Sequence, residues 1–414
     1  MCCPLLLPNS RHKLVMGVPT GTEPSSSNLI TRLWGNEETR SVIIQIVTLT
    51  VVFAVLALLV RNVVINFAAN DKSFSFDFLF APAGYDITFS PFIEYSSRST
   101  HLRAAAVGIL NTIFVAACSI VLATVMGFTM GILRLSSNWL VNRIVYVFIE
   151  FTRNVPLLLH IFFVHGIIVT TLPVPKQAMN ISDTFFLTNR GFYVPAPVLE
   201  EGAGVVVIIL GLAILCVIGF WRWAKQVRDE TGKIYPVFWV SVGAIVGATG
   251  IAYFLMGMPL SWSMPALKGF NFKGGMALKP EFLALWLALS YYHASFIAEI
   301  VRGGVLAVSH GQTEAAYAVG LRPSRTLQLV IVPQALRVII PPLASMYLNV
   351  TKNSSLAIAI GYMDVVATIG GITLMQTGKE METMIIVLLT YLFFSLLISA
   401  FMNWFNRRMK LAER

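Results

Sequence analysis

The feature that most constrains this chain is a set of six long apolar stretches that contain no Asp, Glu, Lys or Arg. A helix of about 20 residues crosses the hydrocarbon core of a bilayer, and each stretch is near that length or longer. The mean hydropathy of +0.74 agrees with a polytopic membrane protein. The six stretches are Val42–Val60, Ala104–Leu133, Gly204–Trp221, Ile234–Leu267, Phe282–Ala298 and Thr383–Asn406.

Two further apolar stretches are long enough to span but contain charges, namely Ile144–Leu172 and Val338–Met363. Ile234–Leu267 counts as one crossing with a loop-like tail rich in Met and Pro. The sequence therefore predicts an all-α integral membrane protein with about eight transmembrane helices.

The distribution of basic residues predicts the orientation. With an even number of spans both termini lie on one side, and 18 of the 30 Lys and Arg residues fall in the segments of that side. Basic residues are enriched in cytoplasmic loops, so we expect both termini to be cytoplasmic. The net charge of +10 is then mainly an orientation signal, and it does not require nucleic acid as a partner.

Polar side chains inside the spans are unevenly distributed. The two spans within Gly204–Met258 contain almost none, which predicts an accessory, lipid-facing hairpin. The predicted organisation, in chain order, is a cytoplasmic tail (1–41), a first span with a periplasmic loop (42–103), a first core part (104–172), loops with the inserted hairpin (173–280), a second core part (281–407) and a cytoplasmic tail (408–414).

A polar loop, TEAAYAVGLRPSRTLQLVIVPQAL, separates two late apolar stretches on the predicted cytoplasmic side. Thr313 suits the cap of a short helix over Glu314–Val319, and Gly320 suits the left-handed residue that ends such a helix. Pro323 favours the first turn of a second helix, and Pro333 is predicted to close that helix before the next span. The loop is thus predicted to form a helix–turn–helix bracket.

Three stretches carry a resemblance to a known family. The bracket has the order EAA, three residues, Gly, nine residues and VIVP, which resembles the EAA loop of permease subunits of type I ABC importers. EFTRNVPLLLHIFF resembles the E-x-x-R-x-x-P-L-L segment of polar amino-acid permeases, although Asn154 and Val155 replace the more usual Gly-Thr. TKNSSLAIAIGYMD resembles the K-[DN]-[ST]-S-L segment of the same proteins.

The resemblance implies a permease core of five spans, to which this chain adds one N-terminal span and an inserted two-span hairpin. That layout looks most like the larger permease of general L-amino acid, or glutamate/glutamine/aspartate/asparagine, importers. It implies a bacterial inner-membrane location, a homologous permease partner, two cytoplasmic ABC ATPase subunits and a periplasmic amino-acid-binding protein. The surrounding membrane lipids and the L-amino acid substrate complete the expected partners. ATP and Mg²⁺ would bind to the partner subunits, and this chain would hold no cofactor.

The resemblance also implies which residues couple the chain to the ATPases. They lie in the EAA loop at 303–336. Two alanines there leave one helix face without bulky side chains, and charged residues set the position of that face on the ATPase. The coupling residues are Glu314, Ala315, Ala316, Gly320, Arg322 and Pro333.

The candidate substrate site is inferred from the charged residues inside the spans. An unpaired charge near the bilayer centre is costly, so each such residue needs a partner of opposite charge or a function. In one interpretation, cations line the path and attract the α-carboxylate of an amino acid. In the other, they pair with carboxylates at Glu150, Glu299 or Asp364 and only fix helix packing. For His160, His165 and His293 we favour a packing or interfacial role. The candidate substrate residues are Arg153, Asn154, Lys352, Asn353, Ser354 and Ser355.

Two other classes of protein are alternatives to a permease subunit. An ion-coupled secondary transporter would use Glu150, Arg153 and Lys352 as a relay. An enzyme has little support, because the Gly-Lys pairs at Gly232 and Gly378 lack the other residues of a phosphate loop and no His/Cys cluster has metal-ligand spacing.

Overall fold

The computed structural model describes residues 37–70 and 73–409. Within them, seven helices are long and apolar enough to cross a membrane, and a bent helix pair makes an eighth crossing if it is counted as one span. The predicted membrane fold of about eight helical spans is confirmed. The helices are α1 (Glu37–Ala69), α2 (His101–Leu133), α3 (Trp139–Asn154), α4 (Leu157–Thr171), α5 (Ala203–Thr231), α6 (Val237–Leu255), α7 (Pro280–Leu306), α8 (His310–Ala318), α9 (Pro323–Thr326), α10 (Val332–Asn353), α11 (Leu374–Thr377) and α12 (Glu380–Met409).

The chain divides into two compact units, of which the first contains α1 and the second begins at Ser75. Helix α1 has 33 residues and buries none of them within its unit. Most of its exposed side chains are apolar, as expected of a helix that faces lipid.

Helices α2 and α7 form the centre of the second unit. At Gly127 an added Cβ would lie 2.6 Å from Ile297, and at Gly131 it would lie 2.7 Å from Val301. Glycines at these two positions therefore let the helices approach closely, which is the usual way that helices associate in lipid. The buried residues of α7 that face this contact are almost all apolar or small.

The predicted span Ile144–Leu172 is not a straight helix. Helices α3 and α4 meet at an angle of 107°, and we call this bend the elbow. Val155 between them is extended, with φ −98° and ψ 133°. Pro156 explains the break, because it disfavours helical geometry at the preceding residue and has no N–H for the helical hydrogen bond.

Eight short β-strands were not predicted, and all lie between α4 and α7. A four-stranded antiparallel sheet has the order β1-β2-β3-β8, and β4–β5 and β6–β7 form two separate pairs. Because β4 precedes α5 and β5 follows α6, the β4–β5 ladder closes the base of the α5–α6 hairpin. The strands are β1 (Met179–Ile181), β2 (Phe185–Thr188), β3 (Gly191–Val194), β4 (Ala196–Leu199), β5 (Leu260–Ser263), β6 (Ala266–Lys268), β7 (Asn271–Lys273) and β8 (Met276–Leu278).

The predicted span Ile234–Leu267 has a non-helical tail, as expected, since α6 ends at Leu255. The tail is not a loop, however. The remainder forms β5 and the start of β6. At the other end of the hairpin, α5 extends to Thr231, so most of the basic segment that follows the first of the two spans is helical.

The segment between α10 and α12 packs against the core, whereas the sequence predicted the end of the span Val338–Met363 followed by a connection to Thr383–Asn406. Ser354–Ile360 continues α10 as a 3₁₀ turn, and Val366–Thr373 forms a π-helical segment that leads into α11. The hydroxyl of Tyr362 donates to the carbonyl of Asn111 at 3.0 Å. An added Cβ at Gly108 would lie 2.3 Å from the Thr368 hydroxyl, so α2 and this segment are in direct contact.

Candidate translocation path and coupling bracket

The first group of candidate substrate residues lies at the elbow. The Arg153 guanidinium lies 3.9 Å from the Glu150 carboxylate, one turn back on α3. It also lies over the ring of Phe296 on α7, 5.1 Å from the ring centre. Both charged side chains stay partly exposed, at 36% and 40%. The amide of Asn154 donates to the Glu150 carbonyl, which leaves its side-chain oxygen free to act as an acceptor.

The second group lies where α10 ends. Lys352 is exposed, and it forms no ion pair with any carboxylate in the described part of the chain. The side-chain amide of Asn353 lies 3.2 Å from Nε2 of His293 on α7. The hydroxyl of Ser354 donates to the Thr351 carbonyl, and that of Ser355 donates to the Lys352 carbonyl. The two serine hydroxyls therefore supply donors to backbone carbonyls in the last turn of α10, which lack helical N–H partners.

The two groups meet at one place on α7. His293, which contacts Asn353, and Phe296, which contacts Arg153, are three residues apart and share a helix face. Tyr292 links them, because its ring lies 5.3 Å from His293 and 5.2 Å from Phe296. Sequence reasoning missed this aromatic segment of α7, although the run YYHASF inside a span was a visible signal.

The remaining intramembrane carboxylates pair differently from the expected pattern. Glu299 accepts from Nε of Arg302 at 2.9 Å and lies 3.6 Å from Nε of Arg134 at the end of α2. Asp364 is fully buried but forms no ion pair among residues 37–70 and 73–409. One oxygen of Asp364 accepts from the backbone N–H of Ala367 at 2.8 Å, and the other accepts from the hydroxyl of Tyr391 at 3.2 Å. Asp364 thus caps the segment that follows it.

The predicted bracket is present, with a different start. Helix α8 begins at His310, so Thr313 lies inside it and is not its cap. The helix ends as predicted, since Gly320 has φ +81° and the N–H of Leu321 donates to the Ala316 carbonyl at 3.1 Å. Pro323 occupies the first turn of α9. Ser309 directly precedes α8 and has an extended backbone.

The prediction that Pro333 closes the second helix is wrong. The chain continues from α9 through one π-helical turn, Leu327–Ile331, directly into α10. Pro333 is the second residue of α10, which directly follows this turn. A wide π turn just before a proline accommodates the lost hydrogen bond without ending the helix.

The bracket presents an apolar surface with charged edges. Tyr317 and Val319 are 49% and 77% exposed, whereas Ala316 is buried against the rest of the chain. Glu314 is paired with His310 one turn earlier at 3.0 Å. The bracket is held to α10 by a hydrogen bond between the side chains of Gln334 and Gln312 at 3.1 Å.

The charged side chains at the two groups suit the binding of a charged solute. Arg153 and Lys352 are cations with exposed charged atoms near hydrogen-bonding side chains, which fits a zwitterionic or anionic solute. Within the described residues, no group of three or more His, Cys, Asp or Glu side chains is arranged to hold a metal ion.

Comparison with known proteins agrees with this geometry. Residues 244–411 match the family described as the binding-protein-dependent transport system inner membrane component. The chain is 45% identical, over 91% of its length and 93% of the relative, to the general L-amino acid transport system permease protein AapQ of Rhizobium johnstonii. It is 44% identical, over 92% of its length and 97% of the relative, to the putative amino-acid ABC transporter permease protein YhdX of Escherichia coli.

A third relative is the glutamate/glutamine/aspartate/asparagine transport system permease protein BztB of Rhodobacter capsulatus. It is 44% identical over 91% of this chain and 95% of its own length. Similarity at this level covers about nine-tenths of the chain. The chain therefore belongs to the family of amino-acid ABC transporter permease proteins.

Proposed function

We propose that this chain is the transmembrane permease subunit of an ATP-driven importer that passes L-amino acids from a periplasmic binding protein to the cytoplasm. The observation that carries the proposal is similarity over nine-tenths of the chain to permeases whose names give amino acids as their substrates. Arg153 contacts the same face of α7 as Asn353, the neighbour of Lys352, and these cations supply a chemical reason, because every L-amino acid carries an α-carboxylate.

The proposed complex contains a homologous permease, two cytoplasmic ATPase subunits that bind ATP and Mg²⁺, and the binding protein. It lies in the bacterial inner membrane, with both termini of this chain cytoplasmic and membrane lipids around its apolar surface. The chain itself holds no cofactor and catalyses no reaction.

Coupling to the ATPases is assigned to the bracket. Its apolar residues Tyr317 and Val319 are exposed in the single chain, as expected of a surface that a partner covers. The left-handed turn at Gly320 fixes the angle between α8 and α9. Because α8 follows α7 and α9 runs into α10, a displacement of the bracket would move two core helices together as rigid bodies.

Substrate recognition is assigned to Arg153, Asn154, Lys352 and Asn353. Arginine presents a planar fork to a carboxylate, whereas lysine supplies a point charge. A second cation would favour acidic or amide substrates. The hydroxyls of Ser354 and Ser355 donate hydrogen bonds to backbone carbonyls. Only their oxygens, as acceptors, are therefore available to the ammonium group of a substrate.

Transport by the whole complex tests the proposal. The chain is co-expressed with its partner subunits, reconstituted in proteoliposomes and supplied with binding protein and labelled glutamate, glutamine or leucine. We expect uptake that requires ATP on the ATPase side and survives a protonophore. Uptake that proceeds without ATP and collapses with the protonophore would instead establish the ion-coupled alternative, in which Glu150, Arg153 and Lys352 act as a relay.

A further inference from the structure

The elbow leaves a buried backbone carbonyl without its helical donor. In a continuous helix the Thr152 carbonyl would accept from the N–H of residue 156, but that residue is Pro156 and has no N–H. Thr152 is 1% exposed, so water does not compensate from the side-chain face. An unsatisfied buried carbonyl is costly, and the structure must supply another donor.

His160 is that donor. Its Nε2 lies 3.1 Å from the Thr152 carbonyl, and its ring is only 5% exposed. A carbonyl oxygen can only accept, so Nε2 carries the proton. In the neutral ring Nδ1 is then an acceptor, and it lies 3.0 Å from the hydroxyl of Tyr291 on α7, which donates to it. Both ring nitrogens are therefore satisfied.

These two hydrogen bonds join three elements at one side chain. His160 belongs to α4, Thr152 to α3 and Tyr291 to α7, and the rings of His160 and Tyr291 meet edge-on at 5.3 Å. Arg153 is the residue next to Thr152, and its guanidinium contacts Phe296 on the same helix as Tyr291. The link thus fixes the backbone that carries Arg153 relative to the α7 surface that Arg153 contacts.

We propose that His160 is a positioning residue that replaces the missing Pro156 N–H, locks the elbow to α7 and so holds Arg153 at the translocation path. This deepens the proposed function, on which the role of Arg153 rests. The role assigned to His160 is more specific than the packing role that the sequence favoured, since it requires one donor and one acceptor at defined atoms.

Four variants separate this role from simple packing. His160→Leu keeps much of the volume but removes both hydrogen bonds, whereas His160→Gln retains one N–H donor and one acceptor oxygen. Tyr291→Phe removes only the hydroxyl. The matched control is His165→Leu, because His165 lies one turn further along α4 and its ring makes no hydrogen bond within the described residues.

The first readout is the geometry of the elbow in the assembled complex. Spin labels are attached at Ile144 on α3 and Phe163 on α4, which are 61% and 66% exposed, after the native cysteines are replaced. We expect His160→Leu to broaden or shift the distance distribution between the labels. His160→Gln and His165→Leu should each retain the distribution of the parent chain.

The second readout is uptake kinetics per assembled complex. The loss of these neutral hydrogen bonds predicts that kcat/KM for amino-acid uptake falls about three- to tenfold in His160→Leu and less in Tyr291→Phe. His160→Gln should recover to within about twofold. If His160→Leu fails to assemble, Tyr291→Phe, which changes a single oxygen atom, carries the test.

Unchanged label distances and uptake in both His160→Leu and Tyr291→Phe would overturn the proposal. Equal impairment in His160→Gln and His160→Leu would also overturn it, because the ring and not its hydrogen bonds would then matter. The label distances do not depend on transport. They therefore decide the role of His160 even if the complex takes up no amino acid, in which case the proposed function fails separately.

Discussion

At the residue scale, Arg153 makes two contacts that place different demands on its side chain. The Glu150 carboxylate requires only a positive charge, whereas the Phe296 ring favours the flat guanidinium that stacks on it. Both contacts leave the charged group partly exposed, so a solute can still reach it.

Replacing Arg153 should therefore affect transport in a graded way. We expect Arg153→Lys to raise the KM for glutamate several-fold, and Arg153→Gln to raise it by about tenfold or more, because a charge-assisted contact is lost. Uptake in proteoliposomes, normalised to assembled complex, measures both. Arg143→Gln is the control, since Arg143 lies on the same helix and contacts Tyr146 instead.

A purely structural role for Arg153 makes a different prediction. Arg153→Gln would then lower the yield of assembled complex and leave KM unchanged, and the double variant Glu150→Gln/Arg153→Gln would restore the yield. That outcome would remove Arg153 from the translocation path.

At the element scale, the bracket depends on one backbone conformation. Gly320 has φ +81°, a region that β-branched residues avoid, and nothing lies within 4 Å of the place where its Cβ would be. Substitution there strains the turn without a clash, so its effect is confined to the angle between α8 and α9.

Gly320→Val should consequently uncouple the complex. We expect normal membrane insertion but a several-fold loss of amino-acid-stimulated ATPase activity, because the strain of about 1–2 kcal/mol reorients the docking surface. Gly311→Val is the matched control, since Gly311 lies in α8, has no positive φ and also has open space at its Cβ.

Glu314→Lys should show a similar loss of amino-acid-stimulated ATPase activity by reversing a charge at the edge of the docking surface. Wild-type activity in both Gly320→Val and Glu314→Lys would refute the docking role.

At the scale of the whole molecule, the α5–α6 hairpin has a defined base. Leu199 and Leu260 are directly paired at the end of the β4–β5 ladder. Paired residues of antiparallel strands lie about 5 Å apart, so a two-residue turn can connect them. The hairpin can thus be removed without displacing the four-stranded sheet or the core helices.

Deletion of residues 200–259 with an Asn-Gly turn in their place tests the accessory role of this hairpin. Two crossings are lost together, so the orientation of α7 and later helices is kept. We expect lower abundance but unchanged uptake per assembled complex, measured by quantitative blotting and proteoliposome transport. Complexes that assemble in normal yield but do not transport would place the hairpin in the translocation path.

Local sequence signals predicted the parts of the bracket that local physics controls. The left-handed turn at Gly320 and the helix start at Pro323 follow from the conformational preferences of Gly and Pro. Pro333 was misread because its effect depends on the π-helical turn before it, a compensation that extends over a whole helical turn.

The sequence by itself determined the membrane class, the approximate number of spans and the bracket, because lipid requires long apolar helices and turns depend on adjacent residues. Only the tertiary structure decided the partners of Glu299 and Asp364, since Arg134 and Tyr391 come from other helices. It also decided the β-ladders, whose strands are three or four residues long. In the β4–β5 pair, residues 200–259 separate the two strands. Such contacts gain their free energy from distant segments brought together by packing, and no local pattern encodes them.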